Sequence, residues 1–235
     1  MNLLAAPAAP QLAETAARAP LFATDASRYI VPALVKRLGT TDYTLALQAM
    51  RAFTRARDAG TPDEIWLTEH APVYTLGQAG RPEHVIDAQG VPVVASDRGG
   101  QVTWHGPGQL VAYLLIDLGR RGLTVRGMVH AIEAAVIALL AGLGIESQHR
   151  AGMPGVYVNG AKVAALGLKI SRGCSYHGVA LNIDCDLAAF DGIHPCGYRD
   201  LAVTSLARLG CRAQAGAIGA RLIGHLQAGL ARSPG

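Results

Sequence analysis

Asn159-Gly160 sits between two short apolar runs, Val156-Tyr157-Val158 and Ala161-Lys162-Val163-Ala164. Asn-Gly accepts positive φ at both central positions of a type I′ turn, whose twist matches that of the strands in a two-residue hairpin. Strands joined this way are antiparallel, because parallel neighbours need a long crossover. A purely parallel sheet is therefore excluded. Helical spacing of Tyr43, Ala46, Leu47, Met50 and Phe53 predicts an amphipathic helix within 42–60, with Thr40, Thr41 or Asp42 as cap and Gly60-Thr61-Pro62 closing it. A second helix is predicted over 124–141, capped by Thr124 and ended by Gly142 or Gly144, and a third over 217–230. Runs at 65–68, 73–77, 91–94, 110–118 and 175–183 predict strands. The expected class is α+β: a mostly antiparallel or mixed sheet with helices packed on it.

The chain has 235 residues, 50% of them hydrophobic, enough for one domain with a full core. With 16% charged residues it lacks the composition of a disordered chain, and no apolar run approaches the roughly 18 residues needed to span a bilayer. Residues 1–38, rich in Ala and Pro, are expected to form a loosely ordered extension, and 39–235 a single domain. The first residues lack a positive region and are broken by Pro7 and Pro10, which argues against export. A net charge of +4 comes from arginines scattered along the chain, so nucleic acid is not indicated, while an acidic partner fits. Cys174, Cys185, Cys196 and Cys211 form neither a C-x-x-C pair nor a zinc grouping, and are expected to be reduced thiols in a cytoplasmic protein, with no metal.

Chemistry concentrates in few places. Arg98-Gly99-Gly100-Gln101-Val102-Thr103-Trp104-His105 continues into Gly106-Pro107-Gly108-Gln109, a segment whose backbone can approach a ligand closely. It is neither a Walker A loop nor G-x-G-x-x-G. Glycines alone serve turns just as well, and a lone histidine is more often structural than catalytic. Cys196 lies in His194-Pro195-Cys196-Gly197, where Pro and Gly force a corner that displays the thiol. A thiol near neutral pH is mostly protonated, so a nucleophilic cysteine needs a base or a nearby cation. Lys162 and Lys169 share one apolar segment. A strand lysine is usually solvated; buried beside a thiol, it would instead favour the thiolate.

Taken together, segments 38–47, 64–77, 98–109, 160–167, 173–182 and 195–198 resemble, in order, the lipoyl(octanoyl) transferase family. The resemblance runs from about residue 36 to the C-terminal region. It implies the fold shared with biotin and lipoate protein ligases, and ping-pong octanoyl transfer from octanoyl-acyl carrier protein to a lysine of lipoyl domains, without a cofactor. The acceptors implied are the lipoyl domains of 2-oxoacid dehydrogenase complexes and the glycine cleavage H protein. Cys196 corresponds to the family's nucleophile and Lys162 to its lysine. Acyl contacts correspond to Arg98 through His105, to Ala165, Leu166 and Gly167, and to Gly178, Val179 and Ala180. An ATP-dependent lipoate or biotin ligase on the same fold is the alternative, since fold does not fix chemistry. His194 raises a further expectation, a Cys/His dyad with Cys196.

Overall fold

The computed structural model describes residues 31–198 and 201–231. In chain order its elements are β1 (Leu34–Thr41), α1 (Tyr43–Ala56), β2 (Glu64–His70), β3 (Val73–Leu76), β4 (Val93–Ala95), β5 (Val102–His105), β6 (Gln109–Leu115), α2 (Val125–Ala141), β7 (Gln148–His149), β8 (Gly155–Val158), β9 (Ala161–Ser171), β10 (Cys174–Asn182) and α3 (Ala215–Leu230). Asn159 and Gly160 have φ of 47° and 89° and join β8 to β9 as an antiparallel hairpin. Of the three candidate caps for α1 it is Asp42 that acts, accepting from the Leu45 N–H at 2.9 Å. Thr124 caps α2 through the Gly127 N–H.

A seven-stranded sheet runs in the order β1-β2-β6-β10-β9-β8-β7, and a three-stranded sheet in the order β4-β3-β5. The β1–β2 and β3–β4 pairs are parallel and the rest antiparallel, so the sheet is mixed. Residues 34–38, assigned from the sequence to the extension, instead form the start of β1 and pair with β2. Residues 1–30 lie outside the described residues. The glycine-rich segment, expected to be turns, holds the strand β5.

The run at 110–116 is apolar because both faces of β6 are covered. Leu110, Ala112 and Leu114 point toward α2 and α3, with Ile132, Val136, Leu139, Leu222 and Leu226. Val111, Tyr113 and Leu115 point toward α1, with Tyr43, Leu47 and Met50. The alternation is the period of two that a strand imposes. Gln227 of α3 clasps the chain ahead of β1 from both sides: Ala33 N donates to its Oε1 at 2.9 Å, and its Nε2 donates to Ala33 O at 2.6 Å. Among the described residues, no helix is long and apolar enough to cross a membrane.

Asp63, 3% exposed at the start of β2, ties three parts of the chain together. It accepts from Arg57 at 2.6 Å, from Arg121 at 2.6 Å and from the Asp117 N–H at 2.9 Å, and Arg121 continues to Leu230 O and Val31 O. Removing one partner of a buried pair strands the other charge, at a cost of about 3–5 kcal/mol. Asp63→Asn is expected to destabilise the domain by that amount in denaturant unfolding. A loss below about 1 kcal/mol would show that the two arginines find other partners.

Candidate functional site

The corner foreseen around Cys196 is a single tight turn, Pro195–Gly197, in which Cys196 itself adopts φ 55° and ψ 20°. A non-glycine residue in that region costs of order 1–3 kcal/mol and persists only where its surroundings hold it. They do so here through backbone bonds: Gly197 N to His194 O at 2.8 Å, Tyr198 N to Pro195 O at 3.1 Å, and His194 N to His84 O at 2.8 Å. The sulfur is thereby turned toward the second residue of β9. Lys162 Nζ lies 3.0 Å from Cys196 Sγ and donates to Pro154 O at 3.2 Å. Its ammonium also stands 5.3 Å from the centroid of the Tyr157 ring.

Lys162 is 4% exposed, so it is not a solvated strand lysine. Room for its stem comes from Gly155, which pairs across from Ala165 at φ 138°; a Cβ there would lie 2.6 Å from Ala164 O and 3.1 Å from Lys162 Cε. Burial opposes the charged lysine, yet the charge and hydrogen bond of the Cys196 sulfur, with Tyr157 behind, hold its pKa above the ordinary lysine value. Lys169 sits seven residues further along β9, about 23 Å away at strand rise, and is not part of this pair. His194 faces His84, with ring centroids 6.1 Å apart, so the hydrogen-bond partner of Cys196 is Lys162 rather than a histidine. Cys174 and Cys185 are buried, and burial pushes both thiols up, Cys185 to about 12.

Cys196 opens onto a narrow cavity of about 50 Å³ between the α1 face of the large sheet and β5. Arg98, Gly100, Gln101, Val102, Thr103 and His105 line one side, and Ala165, Leu166, Gly167, Gly178, Val179 and Ala180 line the floor. Two residues expected to contact substrate do not line it. The Trp104 ring packs on Phe190 in a separate core at 5.7 Å. Gly99 spends its N–H on Leu168 O at 2.9 Å, docking the loop on β9. Among the described residues no carboxylate pairs with the buried Arg98: its guanidinium donates to Thr75 Oγ1, Thr75 O, Gly99 O and Gln101 O. Burial lowers its pKa, countered by Tyr43, Cys196 and Tyr113.

Sequence reasoning missed the cavity's remaining walls, Tyr43, Val111, Tyr113 and His177. Tyr43 and Tyr113 were legible only as apolar positions of a helix and a strand. His177 had a fainter signal, a histidine inside an otherwise apolar strand run, and it takes φ 60° there. It bonds Asp97 Oδ1 at 2.8 Å, while Tyr176 OH and Arg51 Nε donate to Asp97 Oδ2 at 2.7 and 2.9 Å. Burial alone would raise the Asp97 carboxyl, but these three donors hold it well below the usual carboxylate range. His177 stays neutral, since burial outweighs the carboxylate.

With this geometry in place, the comparisons are consistent. The model of the lipoyl protein ligase A/B catalytic domain matches residues 42–227. An octanoyltransferase of Aromatoleum aromaticum is 58% identical over 197 residues, covering 83% of this chain and 85% of the relative. That of Dechloromonas aromatica is 61% identical over 173 residues, covering 74% and 84%. Among solved structures, a lipoate-protein ligase A bound with ATP superposes with a TM-score of 0.71 at 15% identity, over 85% of this chain and 86% of its own. A biotin protein ligase from Aquifex aeolicus gives 0.53 at 13% identity, over 84% and 70%. At such identities the solved structures speak for the fold, which is the α+β architecture expected. The chain belongs to the lipoyl protein ligase A/B catalytic-domain family and, within it, to the octanoyltransferases.

Proposed function

We propose that the chain transfers an octanoyl group from octanoyl-acyl carrier protein to a lysine of a lipoyl domain through a thioester on Cys196. The observation that supports it most is the Lys162 ammonium 3.0 Å from the Cys196 sulfur at the edge of an apolar cavity. The Cys196 thiolate attacks the thioester carbonyl, the bond to the pantetheine sulfur breaks, and that sulfur takes a proton from Lys162. Acylation removes the negative charge facing Lys162. Burial, the largest influence on its pKa, is then left unopposed by the thiolate, which lowers the pKa and favours the neutral amine. The acceptor lysine next attacks the acyl-Cys196 carbonyl and gives its proton to Lys162; the amide forms, thiolate leaves, and the pair is restored. One residue thus serves as counter-ion in the first half and base in the second.

No nucleotide has a role in this sequence of steps, because one thioester replaces another. An ATP-dependent ligase would leave Cys196 without a task. The acceptors are taken to be lipoyl domains of 2-oxoacid dehydrogenase complexes and the glycine cleavage H protein, and a reducing compartment such as the cytoplasm suits an unpaired nucleophilic thiol.

Intact-protein mass spectrometry after mixing with octanoyl-acyl carrier protein, without ATP, is expected to show one octanoyl adduct, on Cys196, absent in Cys196→Ala. A productive adduct on another cysteine, or product formed only with ATP, would sink the proposal. Lys162→Arg keeps the charge that favours the thiolate but cannot exchange a proton; it is expected still to form the acyl-enzyme, the pantetheine sulfur leaving as thiolate and taking its proton from solvent, and to stall by about 10²–10⁴-fold at transfer to the acceptor, whose amine needs a base. Wild-type transfer rates in Lys162→Arg would remove Lys162 from the second half-reaction.

Donor recognition narrows to fewer arginines than the sequence offered. Arg121 is buried on Asp63, Arg120 is engaged with Asp117 and with Thr61 and Ala59 carbonyls, and Arg172 with Thr54 O and Arg55 O. Arg126 and Arg150 line a groove with His130, His149 and Pro154, the residue whose carbonyl accepts from Lys162. Charges steer an acidic carrier over a screening length of about 8–10 Å. Arg126→Glu combined with Arg150→Glu is expected to lower kcat/KM and flatten its salt dependence for octanoyl-acyl carrier protein more than for octanoyl-coenzyme A. Equal changes for both donors would leave recognition to the acyl chain and the pantetheine arm.

A further inference from the structure

The cavity floor is built from two cross-strand rungs that change character along their length. One rung is Gly167–Gly178–Tyr113 and the other Ala165–Ala180–Val111, each running from β9 across β10 to β6. Small residues on the first two strands leave open space, and a large residue on the third closes it. From β9 across to β6 is two strand spacings, about 10 Å, and the two rungs cross β9 three and five residues beyond Lys162. The opposite wall has similar extent. β5 starts beside Gln101, which crowds against Gly197 of the nucleophile turn, and ends at His105. At the far end His105 stacks on Tyr43, with ring centroids 5.7 Å apart and planes 11° apart.

These end-wall rings are pinned. His105 Nδ1 meets Gln109 Oε1 at 2.7 Å, and Gln109 is held in turn by Asn182 Oδ1 at 2.9 Å. Tyr113 OH donates to His70 Nε2 at 2.6 Å, whose Nδ1 is engaged by Thr41 O at 3.0 Å. Tyr43 OH bonds Ser96 Oγ at 2.6 Å. Swinging any of these rings aside would break a hydrogen bond under cover, which costs far more than moving a Leu or Met. His105 is also kept uncharged, since burial pushes it well below the ordinary histidine value.

We infer that Val111, Tyr113, His105 and Tyr43 form a rigid stop that sets the length of the acyl chain accepted on Cys196. The inference rests on the proposed octanoyl transfer and names what limits that site. Acyl chains longer than the run from Cys196 to this wall must displace a pinned ring, whereas shorter ones leave the end unfilled. One methylene in a fitted apolar pocket is worth about 10–200-fold in discrimination.

The test measures kcat/KM for hexanoyl, octanoyl and decanoyl carrier proteins in wild type, His105→Ala and Val111→Leu. Ratios between donors are the readout, because a uniform loss of activity leaves them unmoved. His105→Ala is expected to raise the decanoyl-to-octanoyl ratio at least about tenfold, and Val111→Leu to lower the octanoyl-to-hexanoyl ratio by a similar factor. Val111→Leu adds one methylene and decides the matter if His105→Ala does not fold. A shift in the stated direction supports the stop. Wild-type or opposite ratios in the folded variants overturn it. An octanoyl adduct on wild-type Cys196 with unmoved ratios defeats the stop alone, whereas the absence of any adduct defeats the transfer reading itself.

Discussion

A lysine taken out of water and a thiol at a strained corner each cost free energy alone, and 3.0 Å apart each supplies what the other lacks. Much of the surrounding architecture serves that contact. The Asn159-Gly160 turn sets the register that puts Lys162 at the start of β9, Gly155 clears the path for its stem, and the Pro195–Gly197 turn aims the sulfur. The elements involved are far apart in sequence. Two main-chain bonds close the distance, because Lys162 N donates to Ala202 O at 2.8 Å and its carbonyl accepts from Thr204 N at 3.0 Å, fastening β9 to the chain just beyond Cys196.

A second unusual charge lies across the cavity. Asp97 and Arg98 are neighbours in sequence, yet they do not pair. Asp97 turns to Arg51, Tyr176 and His177, and Arg98 turns inward to neutral oxygens on β3 and its own loop. The carboxylate therefore fixes the outer layer while a guanidinium held by neutral oxygens lines the cavity. A buried positive charge lining the same cavity as Cys196 favours negative charge there. Arg98 and Lys162 thus place charges of the same sign near Cys196.

Local chemistry was the part most readily legible in the sequence. The hairpin, the Asp42 and Thr124 caps, the three helices and the apolar β6 follow from residues that act on their immediate neighbours. What escaped was set by partners distant in sequence. β1 is mostly exposed along its length, so it lacks an apolar stripe, and it exists because β2 offers it a ladder. β5 hides among glycines because it pairs with β3 through the backbone, a contact blind to side chains. In the site, Cys196 and Lys162 were visible through the resemblance. Trp104 lies off the cavity because alternate residues of a strand face opposite ways, and Gly99 because its N–H docks the loop on β9. Tyr43, Val111, Tyr113 and His177 reach the cavity only because α1, β6 and β10 converge on it.

The Gln227 clasp on Ala33 joins positions 194 residues apart. A ribosome delivers the two ends of that contact in order, at roughly 5–20 residues per second. For ten seconds or more, on that scale, the strand that opens the sheet has been made while the helix that fastens it has not. β1 can pair with β2 in that interval, but the turn of chain ahead of it stays unfastened. α3 is therefore delivered after the strand it fastens, and a chain that stops short of it leaves the segment ahead of β1 untied.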